Sequence, residues 1–144
     1  MEELPEDMLH RFQRLEKNLS AEHGPFHFFG LFLRENAPNR WDIVASASWI
    51  EASHVSARKL FAHRLQKEFP IDELILVTQI AFVVPEGLQY EAAMRRIAHA
   101  VRAATGSSEV KHGLVELRDM DLFGQTIAHA YILTAQPLSV PVTA

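Results

Sequence analysis

Apolar residues recur along the first part of the chain at spacings of three and four. Leu4, Met8, Phe12, Leu15 and Leu19 fall on one stripe, with Glu6, Asp7, Arg14 and Lys17 on the other side. This spacing predicts a helix over 5–22, opened by Pro5 and stopped by Gly24-Pro25. The pattern then changes. Phe26-His27-Phe28-Phe29-Gly30-Leu31-Phe32-Leu33 is aromatic and apolar on both faces, which predicts a strand over 26–34 covered on both sides. A turn at 36–40 leads to a strand over 41–50, with Trp41, Ile43, Ala45, Ala47 and Trp49 on one face and Asp42, Val44, Ser46 and Ser48 on the other. The two strands are expected to pair as an antiparallel hairpin.

A second helix is predicted over 54–69, with Ser53 as its N-cap, an arc of Val55, Phe61, Ala62, Leu65 and Phe69, and Pro70 as its stop. Residues 74–84 read as a central strand, apolar on both faces and broken by Pro85-Glu86-Gly87. A third helix over 88–104 has the stripe Tyr90, Ala93, Met94, Ile97, Val101 and Ala104, with Gly106 as its C-terminal cap. Strands over 110–117 and 127–135, joined by a loop at 119–124, complete the pattern. The order is α-ββ-α-β-α-ββ. The expected class is α+β, with mixed α/β as the variant: one mixed five-stranded sheet with helices packed on it. Phe12, Leu15, Phe28, Ile43, Leu65, Leu76, Ile80, Ile97 and Leu133 are the expected core. Residues 1–135 form one domain in this reading, and 136–144, with Pro137 and Pro141, form a mobile tail.

Composition narrows the function classes. The chain has 144 residues, 48% hydrophobic and 22% charged, which suits one globular domain. The absence of cysteine excludes disulfides, thiolate metal sites and cysteine nucleophiles in this chain, and fits a reducing compartment. The acidic start is unlike a secretory signal, and the apolar run at 74–84 is too short to span a bilayer. A soluble, cytoplasmic protein is expected, without a membrane partner. A net charge of −4 disfavours sequence-independent nucleic-acid binding.

Candidate chemistry is sparse. Phosphate-binding loops and the G-x-S-x-G elbow are absent, and no cofactor is expected. Glu109-Val110-Lys111 resembles the E-x-K half of the PD-(D/E)-x-K nuclease signature, which implies an Mg²⁺ site completed by Asp42 or Asp72. The element order departs from that family, which places three strands before its central helix. His112 and His129 stand on the two arms of the last hairpin; with an odd pairing sum they share a face and could meet one ligand or metal ion. Arg95, Arg96, His99 and Arg102 make a basic stripe on the third helix. Small residues around Ser46 and Ser48 leave room for close approach by a ligand or another element. Three function classes follow. The first is a non-catalytic protein-interaction or regulatory module that self-associates or joins a protein partner. The others are a metal-dependent nuclease or phosphodiesterase using Asp42 or Asp72, Glu109 and Lys111, and a small-ligand-binding regulatory domain.

Overall fold

The computed structural model describes residues 4–136. Helix α1 (Glu6–His23) leads into β1 (Phe26–Arg34) and β2 (Trp41–Ala47). A short helix α2 (Ser48–Ala52), the longer α3 (His54–Glu68) and one helical turn, α4 (Ile71–Leu74), carry the chain to β3 (Val77–Phe82). Helix α5 (Leu88–Thr105) and the hairpin β4 (Val115–Leu122) and β5 (Gln125–Ala135) follow. The five strands form one sheet in the order β3-β2-β1-β5-β4. Only the β2–β3 pair is parallel. The expected α-ββ-α-β-α-ββ order and mixed five-stranded sheet are found, with α2 and α4 added on either side of α3.

The two-faced apolar pattern of β1 has its counterpart in two cores. Phe29, Leu31 and Leu33 face one core with Phe12 and Leu15 of α1 and Phe61 and Leu65 of α3. Phe28 and Phe32 face the other with Met94, Ile97 and Val101 of α5. Gly30 separates Phe28 and Phe32 on that second face. A Cβ there would lie 2.8 Å from the Phe28 ring, so the close approach requires glycine. Arg64 of α3 ties the first-face helices together, with Nη1 2.7 Å from Glu22 Oε2 of α1. Ser53 caps α3 as expected, accepting from the Ser56 N–H at 3.2 Å.

Several expectations need correction. The second strand ends at Ala47, and Ser48, Trp49 and Ile50 are helical. Turning the chain there lets Trp49 Nε1 donate to Gly24 O at 2.9 Å and stack its ring on Phe61, which a straight strand would prevent. Of the arc expected for the second helix, Phe61, Leu65 and Phe69 are buried, but Val55 is 67% exposed and Ala62 is exposed, and Ala57 is buried beside the others. The strand expected at 74–84 shortens to Val77–Phe82 and lies at the sheet edge rather than its centre. Pro70 starts the α4 turn, and Leu76 and Ile80 are only partly buried against the first core. The last hairpin is shifted: β4 spans Val115–Leu122, and residues 119–122, expected in a loop, belong to it. Val110 keeps an isolated antiparallel bridge to Ala135.

The β4–β5 connection is then two residues long. Phe123 has φ 52° and Gly124 φ 77°, the type I′ pattern whose twist suits a tight hairpin. Of the expected tail, Gln136 donates its N–H to His27 O at 3.0 Å, and 137–144 lie outside the described residues. No helix among the described residues is long and apolar enough to cross a membrane.

Candidate ligand-binding groove

Helix α5 packs over β4 and β5, leaving the β2–β3 half of the second face as a groove. The alternation of β2 sends Asp42 and Val44 to this side, away from the first core. From β3 come Gln79 and Ala81, and from β1 comes Phe32. The far wall is built by Gln89 and Tyr90 at the start of α5 and by Phe123 at the hairpin tip. The cavity measures about 340 Å³, within the usual range for small-molecule sites.

Phe123 is held there by a backbone conformation that bulky residues rarely adopt. Its ring lies 6.0 Å from Phe32, nearly parallel, and 6.1 Å from Tyr90. Gly124 completes the turn beside Gln89; a Cβ on it would fall 2.4 Å from Gln89 Nε2. Burial raises the Tyr90 phenol above its ordinary value, opposed by the nearby Ser46 hydroxyl.

Asp42 is the chemical centre of the groove. It is 2% exposed. Arg34 Nε, at the end of β1, lies 2.8 Å from its Oδ2. Its Oδ1 is buried and meets no donor among the described residues. A buried acceptor left without a partner costs about 1–3 kcal/mol, more when it is charged. An unpaired acceptor on a residue of a cavity lining is one that a ligand donor could complete. Arg34 also lines an adjoining hollow of about 460 Å³ with Glu35 and Asn36, and Gln125 borders both spaces.

The other residues singled out from sequence are dispersed. Asp72 is exposed in the first turn of α4. Glu109 and Lys111 are exposed on either side of Val110, before β4 begins, and do not line the groove with Asp42. His112 is not on an arm of the hairpin as expected: it precedes β4, with φ 50°, so the pairing sum does not set its side, although both histidines contact residues of the first-face side. His112 meets Glu16 of α1, and His129 packs between Trp41 and Tyr131 in the first core. Each has its own carboxylate, however. His112 Nδ1 lies 2.7 Å from Glu16 Oε1, and His129 Nε2 lies 3.0 Å from Glu116 Oε1. No three His, Asp or Glu side chains among the described residues are grouped to hold a metal ion. Arg95, Arg96 and His99 border a shallow hollow over Leu117 and Met120, and Arg96 donates to Asp121 O at 2.7 Å. Ser46 is buried beneath Tyr90, and Ser48 sits in α2 near His27, so the open space lies further along β2 than those serines.

Sequence reasoning missed Arg34, Phe123 and the three groove glutamines, Gln79, Gln89 and Gln125. The available signal was an arginine ending one strand of a hairpin, close to an acid placed among apolar residues on the next. Compared with protein-family models, curated proteins and solved structures, the chain matches none. Fold and site together define an α+β module with helices on both sheet faces and a groove left open over one half of one face.

Proposed function

We propose that this domain is a non-catalytic regulatory module that binds a small polar ligand in the groove over β2 and β3. The observation that carries the reading is Asp42, a residue of the groove lining whose Oδ1 is a buried acceptor without a donor among the described residues. A catalytic reading has less support. The acids named for a nuclease sit on three separate segments, and Asp42 has no second acid beside it inside the groove except the exposed Glu86. The cysteine-free composition supports a cytoplasmic setting. The test is a set of amide correlation spectra of the labelled protein with a panel of amines, sugars, amino acids and nucleosides. Saturable shifts confined to Gln79, Ala81, Gln89 and Phe123 are expected for at least one class. A panel that moves none of these amides would overturn the reading.

A second reading, self-association as a homodimer, rests on a different observation. The outer side of β3 pairs with no described strand, and Ile71 and Ile75 stand 75% and 72% exposed just before it. Arg58 covers part of that edge by donating to Ile80 O at 2.7 Å, so a partner copy would meet the remainder.

A further inference from the structure

Among the described residues, the ionisable side chains that line the groove are acidic, buried Asp42 and exposed Glu86, and no Lys, Arg or His lines it, although Arg34, outside the lining, pairs with Asp42 at 2.8 Å. Arg34 is directed to Asp42 Oδ2, and its own hollow is shared with Glu35. A carboxylate only accepts, so whatever completes Oδ1 must bring an N–H or O–H. A charged donor makes the stronger bond. The rest of the lining suits a cation with a hydrocarbon body. Phe32, Tyr90 and Phe123 are among the lining residues, and aromatic rings attract organic cations through their negative quadrupole. Val44, Ala81 and Val83 supply apolar wall. An inorganic divalent ion would need several oxygen or nitrogen ligands, and the described residues bring no such group together.

The geometry points to a small organic cation, an alkylammonium or guanidinium on a short hydrocarbon chain, with one N–H directed to Asp42 Oδ1. This rests on the ligand-binding reading above and narrows it to one chemical class. It assigns a role to each part of the groove: Asp42 accepts, the rings stabilise the charge, the aliphatic wall holds the chain, and Glu86 adds attraction at the exposed rim.

The probes are 1-butylamine, 1-butanol and butyrate, which share a chain and differ in the head group. Each is titrated into the full-length labelled protein at neutral pH, where the amine is charged. The amine should shift the Ala81, Val83 and Phe123 amides saturably. The alcohol should bind about tenfold more weakly, the difference expected for one charge-assisted bond, and butyrate more weakly still. Asp42→Asn should erase the preference for the amine. That variant also removes the partner of Arg34 and can unfold the chain, so Ala81→Leu serves as the second. It fills the groove from a half-buried edge position, leaves Asp42 in place, and should weaken amine binding about tenfold or more. Equal binding of amine and alcohol would overturn the cation assignment while leaving the groove a ligand site. Unchanged amine affinity in Ala81→Leu would place the binding elsewhere and also overturn it. If neither these probes nor the wider panel move the groove amides, the underlying reading falls as well.

Discussion

Nδ1 of His112 lies 2.7 Å from Oε1 of Glu16, a contact that joins the middle of α1 to a residue 96 positions later. The same His112 donates its backbone N–H to Thr134 Oγ1 at 3.2 Å. Glu16 is fully buried, and burial pushes its carboxyl above the ordinary value of 4.5 against the opposing pull of His112, Thr134 and Lys111. The folded protein therefore holds this proton more tightly than the unfolded chain does. Its contribution to stability is complete below pH 4.5 and is lost as pH rises through the raised folded value. Glu16→Gln carries no such titration. Relative to the wild type, the variant should gain stability as pH rises above 4.5, measured by urea denaturation in a pH series. A difference independent of pH would show that the carboxyl is not perturbed.

Gly124→Ala should destabilise the hairpin by about 1–2 kcal/mol, the penalty for an L-residue in the left-handed region. Two causes are present, the φ of 77° and the 2.4 Å approach of a Cβ to Gln89 Nε2. Adding Gln89→Ala should return only the steric part. A double-mutant cycle by chemical denaturation separates them, and full rescue would assign the whole cost to the clash.

Phe12→Ala should cost about 3–5 kcal/mol, because the ring is fully buried and meets Phe69 at 4.6 Å. The measurement is the shift of the urea midpoint at constant slope. A loss under about 1 kcal/mol would mean that α1 contributes little packing to the sheet.

If β3 pairs with a second copy, light scattering across a concentration series should rise from 16.3 kDa to twice that mass. A stable dimer of this kind buries about 1,200–2,000 Å² in total. Ile75→Glu, at an exposed position beside the edge, should restore the monomer without loss of stability. A wild-type mass that stays at 16.3 kDa throughout would remove the self-association reading.

The parts of the fold legible in sequence were those with a single clear periodicity. Helices α1 and α5 each bury one side, so Met8, Phe12, Leu15 and Leu19, and likewise Ala93, Met94, Ile97 and Val101, could be read directly. β1 is sandwiched between two helical layers, and its unbroken apolar run gave its limits. β3 misled for a physical reason: Ala81 and Val83 line an open groove, and an apolar groove wall looks like a core face in sequence. β4 was misplaced because Glu116, Arg118, Asp119 and Asp121 give an outer strand the composition of a loop. The site was half visible. Asp42 is named from sequence only as one of two alternative acids for a metal site, and its pairing with Arg34 and its separation from Glu109 and Lys111 depend on tertiary placement.

The position of β1 between β2 and β5 has a consequence for biosynthesis. β1 pairs on one side with its immediate successor and on the other with a strand about a hundred residues later, Phe28 opposite Ala135. During synthesis that second side has no partner until β5, paired from Ile127 to Ala135, has left the ribosome. Until then Phe28, Phe29, Leu31 and Phe32 flank an unpaired strand edge in the nascent chain, with the cover from α5 not yet anchored by β4 and β5. Pairings of such long range slow folding and expose aggregation-prone segments. The nascent chain should therefore be a client for holding chaperones until β5 emerges, and its yield should depend more on the rate of elongation than its modest size suggests.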